Sequence, residues 1–361
     1  MRPIPSKHID EGAELGQRYR RILKRRLLFI LLCLLLVLII AGVSATLGSY
    51  PISVFEVYSI VWHGIPKLIH DASLTIEERI VWHLRLPRIL LDIVAGAGLA
   101  LAGTVMQGTL KNPLASPYTL GIASAAAFGA SLAIVLGAGF VGGDYLVVAN
   151  AFVFAMGASL LVYGLTKYRG VTPETMILAG IAMMYLFSAM TSLLQYIGSA
   201  DEVQEVVFWM FGSSERASWM NVGVISLVLA ACLPYILLKS WDINAMGAGD
   251  ETAKSLGVEV ERERIIFMLI AALITAAIIC FTGTIGFIGL VCPHITRMVI
   301  GGDHRFLLPA SGLLGAVVLT GADMAARAVL APEIIPVGIM TSFLGVPLFV
   351  YLLTRKKGGY W

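Results

Sequence analysis

Between residues 265 and 296 the chain carries no Asp, Glu, Lys or Arg. Crossing the hydrocarbon core of a bilayer takes about 20 apolar residues, and an uncharged run beyond about 18 is its usual sign. Runs of this kind follow one another along all 361 residues, which are 58% hydrophobic and only 14% charged, with mean hydropathy +0.85. Lipid offers the backbone no hydrogen-bond partner, so such runs must be helices unless they close into a barrel. The period-two alternation of a membrane barrel is missing. The sequence therefore predicts an all-α polytopic membrane protein. A net charge of +3 gives no argument for a nucleic-acid partner. Cys33, Cys232, Cys280 and Cys292 all fall inside apolar runs with no CxxC pair, which reads as packing rather than as disulfides or a metal site.

Charge clusters order the spans. Arg18, Arg20, Arg21, Lys24, Arg25 and Arg26 close a polar segment, 1–26, ahead of the run 27–47. Val43, Ser44 and Ala45 resemble a cleavage site, but the basic region and the apolar run are both too long for a signal peptide. A retained first span with a cytoplasmic N-terminus is expected. Further spans are predicted at 89–106, 114–136, 145–165, 175–197 and 219–238. The run from 265 is interrupted by Gly283, Gly286 and Gly289. Read as one span, it would place Arg297, Arg305 and the tail Arg355, Lys356 and Lys357 outside. Read as two, 265–282 and 285–300, it keeps them all inside, as the charge bias prefers. With 306–326 and 334–353 this makes ten transmembrane helices, N- and C-termini cytoplasmic. The permease-sized domain is 27–354, with a polar insertion at 240–264 and a tail at 355–361. Segments 53–69 and 201–211 read as surface helices.

Arg85 and Arg88 break the charge bias, because they fall outside. They also precede the predicted span 89–106, where a helix dipole disfavours cations. An ion pair of Arg88 with Asp92 at i,i+4, with Glu77 and Glu78 nearby, is one account. A docking site for an acidic partner surface is the other. Arg327 is similar, with Asp323 at i,i+4. Asp92 and Asp323 are the formal charges well inside their spans, both near the outer edge, whereas ion-coupled carriers place ionisable groups near the midplane. Gln107, Gln195 and His294 are the other polar candidates, His294 reading as a packed or interfacial histidine.

The insertion holds a predicted short helix, 250–256, with Gly257 as its stop. It is no phosphate loop: Ala248 and Ala253 stand where GxxxxGK[ST] needs glycines, and no strand precedes it. The chain carries no ATPase motif, no HExxH and no GxSxG. Two short helices facing the cytoplasm suit docking to a soluble partner, against the plainer reading of a solvated loop.

An ordered set of short pieces then resembles the FecCD-type permeases, the membrane subunits of binding-protein-dependent ABC importers for iron complexes, haem and cobalamin. The pieces are RLPR at 85–88, the small-residue helix 95–103, Gln107, Asn112 to Ala115, Pro117, Gly121 and Ala179-Gly180. Further along come 249–257, 283–290, Pro293-His294, Asp303 to Arg305, Leu308-Pro309, Asp323, Ala326-Arg327, Pro336 to Gly338, Leu344-Gly345 and Pro347. The resemblance implies ten spans per subunit and a translocation pathway at the interface with a second permease subunit, a homodimer being the simpler arrangement. It implies two cytoplasmic ATPase subunits, which bind ATP and Mg, and an extracytoplasmic substrate-binding protein, all in the cytoplasmic membrane. By resemblance, Arg85, Arg88 and Arg327 would dock the binding protein. Gly249, Asp250, Glu251, Ala253, Lys254, Leu256 and Gly257 would form the ATPase coupling helix. Thr172, Pro173 and Glu174 would lie in the gate region, where relatives often carry small hydroxyl residues. No cofactor on this chain, no catalytic residue and no metal site are expected. The rival reading is an ion-coupled secondary transporter working without an ATPase, which an uncoupler would stop.

Overall fold

The computed structural model describes residues 6–48, 50, 52–69 and 74–354, and among them there are helices and turns but no strand. The expected tail at 355–361 lies outside the described residues. In chain order the helices are α1 (Ser6–Thr46), α2 (Val54–Ile69), α3 (Ile76–Arg79), α4 (Leu86–Thr109), α5 (Ile122–Leu136), α6 (Leu146–Arg169), α7 (Pro173–Ile197) and α8 (Ala200–Met210). They continue with α9 (Trp219–Leu238), α10 (Ser240–Gly247), α11 (Asp250–Ser255), α12 (Val260–Thr282), α13 (Ile288–Ile300), α14 (His304–Val329) and α15 (Val337–Thr354). The described residues hold seven helices long and apolar enough to cross a membrane, built on α1, α4, α6, α7, α9, α12 and α14. This is a multi-pass membrane protein. The surface helices expected at 53–69 and 201–211 are α2 and α8.

Three expected spans are shorter apolar helices: α5, α13 and α15. The third was expected from residue 114. Instead Pro117 opens a 3-10 turn, Pro117–Leu120, and α5 begins only at Ile122. The eighth was expected from 285, but Phe287 takes a left-handed conformation (φ 66°) and α13 starts at Ile288. The break between α12 and α13 is real, and its backbone is satisfied by neighbours. The Ser213 amide donates to the Thr282 carbonyl at 2.7 Å. The Tyr118 hydroxyl donates to the Ile285 carbonyl, and the Thr284 hydroxyl to that of Met210. Irregular backbone survives in the bilayer only where protein pairs it in this way.

The predicted span 89–106 is part of a longer rod. Thr75 and Glu78 form a capping box: each side chain accepts the other's backbone N–H. That starts the helix at Ile76, and a π-helical turn, Ile80–Arg85, carries it into α4. Arg85 and Arg88 therefore sit two or more turns inside a helix, and the unfavourable dipole expected for them does not arise.

At the centre, α4 packs against α14, α12, α13, α9 and α1, while α5, α6 and α7 form a second group joined to it through α12. Between helices in lipid there is no hydrophobic driving force, so close packing of small residues substitutes. A Cβ on Gly103 would collide with the Gly289 carbonyl of α13, and one on Gly96 with the Gly315 carbonyl of α14. Met106, Ala100, Ala102 and Phe267 are fully buried around these crossings. Gln107, also fully buried, donates to the Leu290 carbonyl at 3.1 Å and accepts from Arg297 at 3.0 Å, tying α4 to α13.

Candidate functional site

At one end of the bundle the three predicted docking arginines come together. Arg85 is only 6% exposed. Its guanidinium donates to the Ala45 carbonyl at 2.7 Å and the Tyr50 carbonyl at 2.6 Å. Arg327 donates to the Leu47 carbonyl at 3.0 Å, the Ser44 carbonyl at 3.4 Å and the Ser44 hydroxyl. A helix C-terminus leaves carbonyls without partners, and α1 has no basic residue in its last turn to meet them. Arg85 and Arg327 finish that end from two other segments.

Arg88 does not pair with Asp92. Its Nε and Nη2 donate to one oxygen of Asp323 at 3.0 and 2.8 Å, because the close α4–α14 crossing brings that carboxylate nearer than the i,i+4 neighbour. The other Asp323 oxygen accepts from Arg327 Nε at 2.9 Å, so the local pair expected on α14 is made. Asp92, fully buried, accepts instead from the Ser214 hydroxyl. The arginines line a cavity of about 750 Å³, with Leu84, Glu215 and Pro332 on its walls.

At the opposite end lie α10 and α11. Ala253 is the buried residue of α11, packed with Met246 and Val260. Glu251, Lys254 and Leu256 are exposed, Leu256 at 68%. Gly249 (φ 127°) precedes the helix and Gly257 (φ 86°) ends it, where the sequence placed a stop. Asp250, the first residue of α11, accepts from both sides. Lys111 approaches at 2.7 Å, and Arg264 Nη2 reaches both carboxylate oxygens at 2.9 Å. Burial pulls the Asp250 carboxyl up, but these bonds outweigh it and hold it below the usual range.

Arg264 is the residue that sequence reasoning missed. It is 1% exposed, at the start of α12. Beyond Asp250, its Nε donates to the Thr109 carbonyl at the end of α4 (3.3 Å) and its Nη1 to the Val171 carbonyl (2.8 Å). Its available signal was an arginine where a polar insertion meets an apolar run. Nothing local names its partners, and the neighbouring Glu263 pairs instead with Tyr235 and Lys239.

Val171 immediately precedes the predicted gate residues. Thr172 caps α7, accepting from the Thr175 amide at 3.3 Å, Pro173 takes the first helical turn and Glu174 is exposed. Along α7, the exposed residues Tyr185, Ser188, Ser192 and Tyr196 are spaced at 3, 4 and 4, which places them on one face. Tyr185 is 69% and Tyr196 87% exposed.

The base of α10 is held separately. Asp303 accepts from Arg26 of α1 at 3.0 Å, from Arg305 of α14 and from Asn244 of α10 at 3.1 Å. The Arg305 guanidinium stacks on Trp241 of α10, 4.0 Å from the ring centre. Burial raises the Asp303 carboxyl, and the bonds from Arg305 and Asn244 more than reverse this, holding it at about 2.

The model of the FecCD transport family matches residues 32–355 of the chain. A protein of Methanocaldococcus jannaschii whose name describes an ABC transporter permease is 43% identical over 95% of this chain and 98% of its own length. The hemin transport system permease of Yersinia pestis is 37% identical, covering 92% and 96%. The molybdate import system permease of Haemophilus influenzae is 34% identical, covering 90% and 95%. A solved structure described as an inward-facing metal-chelate type ABC transporter superposes with a TM-score of 0.78 at 32% identity, covering 90% of this chain and 98% of that one.

Proposed function

The chain belongs to the FecCD transport family, and from that premise we propose that it takes up a metal chelate as the permease of a binding-protein-dependent importer. It works with a second permease subunit, two cytoplasmic ATPases that bind ATP and Mg, and an extracytoplasmic binding protein. All ten apolar helices cross the cytoplasmic membrane, with both termini on the cytoplasmic side. The observation that carries this reading is the α10–α11 pair. It presents Glu251, Lys254 and Leu256 outward while Asp250 is tied by Arg264 to the membrane helices. An exposed patch held that firmly suits a motor subunit that pushes on it. It is the coupling helix expected from the sequence, 249–257.

The hydroxyl-bearing face of α7 lines a pathway between two copies of this chain. A stripe of Tyr and Ser with no formal charge lets a bulky chelate pass without binding it tightly. The chelate reading draws on relatives named for hemin and for metal chelates. A relative named for molybdate favours an oxyanion as the second reading.

The arginine end receives the binding protein. Arg88 and Arg327 are 14% and 10% exposed and face a cavity, so an acidic loop of the partner enters it. Arg85, pointed at carbonyls, supports the site from within.

The test is gentle solubilisation and pull-down on this chain. An ATPase in equal amount is expected, together with uptake that an uncoupler does not stop. A chain that transports alone, and stops with an uncoupler, is an ion-coupled carrier. The binding protein's absorbance then separates chelates from a colourless oxyanion.

A further inference from the structure

We infer that Arg264 is the positioning residue through which movement of α11 reaches the start of α7, an inference that rests on the importer reading above. The geometry is a three-way junction. One guanidinium joins the first residue of α11 (Asp250), the last residue of α4 (Thr109) and the carbonyl just before the α7 cap (Val171). Asp250 lies 14 residues from Arg264 in sequence, whereas Thr109 and Val171 lie 155 and 93 residues away.

The links that hold α11 differ in strength, and the difference decides which one carries the motion. Packing contributes little, because Ala253 is the one buried side chain on α11. The Lys111–Asp250 pair is about one-third exposed on both partners, the solvent-screened class of ion pair that contributes little. Arg264 is 1% exposed. Pulling Asp250 away would leave a buried cation without its counter-ion, which is strongly unfavourable. Displacing α11 therefore drags Arg264 rather than parting from it. Arg264 in turn pulls on Val171, whose neighbour Thr172 caps the helix carrying Tyr185, Ser188, Ser192 and Tyr196.

The experiment uses the complete complex with its ATPase, reconstituted in liposomes, and compares the parent chain with Asp250→Asn and Lys111→Met. Hydrogen exchange is followed in segments 250–257 and 170–176, with and without ATP, alongside uptake and ATP hydrolysis. In the parent and in Lys111→Met, ATP alters exchange in both segments. In Asp250→Asn the response at 250–257 persists, that at 170–176 disappears, and uptake per ATP hydrolysed falls about tenfold. Persistence of both responses in Asp250→Asn overturns the inference. So does loss of both, which would make Asp250 a residue for holding the ATPase only. A parent chain whose 170–176 segment ignores ATP, or a Lys111→Met chain that behaves as Asp250→Asn, overturns it as well. Failure of the importer reading looks different, since no ATPase would accompany the parent chain.

Discussion

Arg88 on α4 and Asp323 on α14 are joined by two hydrogen bonds to a single carboxylate oxygen, at 3.0 and 2.8 Å, while the other oxygen holds Arg327. Neutralising the carboxylate, which is itself fully buried, leaves two part-buried cations without their counter-ion. Removing one arginine leaves the carboxylate still paired. Breaking a buried pair costs about 3–5 kcal/mol. Asp323→Asn should therefore lower thermal stability in detergent more than Arg88→Met. Equal losses, read from tryptophan fluorescence on heating, would show that the two arginines do not share the carboxylate.

The crossing of α4 with α13 predicts a sharp positional effect. Gly103→Ala forces a methyl into the Gly289 backbone, whereas Gly157→Ala and Gly223→Ala meet nothing within 4 Å. The first should cost about 1–3 kcal/mol from overpacking, and the other two should be near neutral. Melting curves of the three variants in one detergent decide it.

On the proposed ATPase face, Leu256→Ala and Lys254→Glu change exposed side chains with no buried partner. Recovery of the ATPase in a pull-down should fall severalfold, with thermal stability unchanged. A loss of stability in step with the loss of ATPase would assign these residues to folding.

Acid should act on the α1–α10–α14 corner through Asp303. Its carboxyl is held at about 2, below the ordinary 3.8. A depressed value means that the charged form is favoured by folding. The contribution, about 2 kcal/mol, is complete above about pH 4 and is lost as the pH falls through about 2. Asp303→Asn should be less stable than the parent by a constant amount at neutral pH, and the gap should close in strong acid. A gap that stays open below pH 2 would mean that the charge is not its source.

What the sequence showed and what it hid divide along one line. Periodicity, charge bias and turn residues act within a few positions, and they located the apolar helices, the break after Thr282, the α10–α11 pair and the i,i+4 pair of Asp323 with Arg327. Partners brought together by packing are invisible to such rules. Arg88 reaches 235 residues along the chain to Asp323, and Arg264 reaches 155 to Thr109. The span reaching back to residue 114 failed for a local reason, the turn at Pro117, which was present in the sequence and underweighted. The helix start at Ile76 was also legible, since Thr75 and Glu78 are spaced as a capping box.

The first membrane helix is finished last. Ser44 and Leu47 at the end of α1 wait for Arg327, 283 and 280 residues further on. At a ribosome adding about 5–20 residues per second, that interval is on the order of tens of seconds. During it, Arg85 already reaches the Ala45 carbonyl, but the Leu47 carbonyl and the Ser44 hydroxyl still lack their bonds from Arg327, and the packing of α1 on α14 forms only once α14 has been made. A nascent chain cut short before α14 therefore carries an unfinished first helix, which marks it as incomplete from its opposite end.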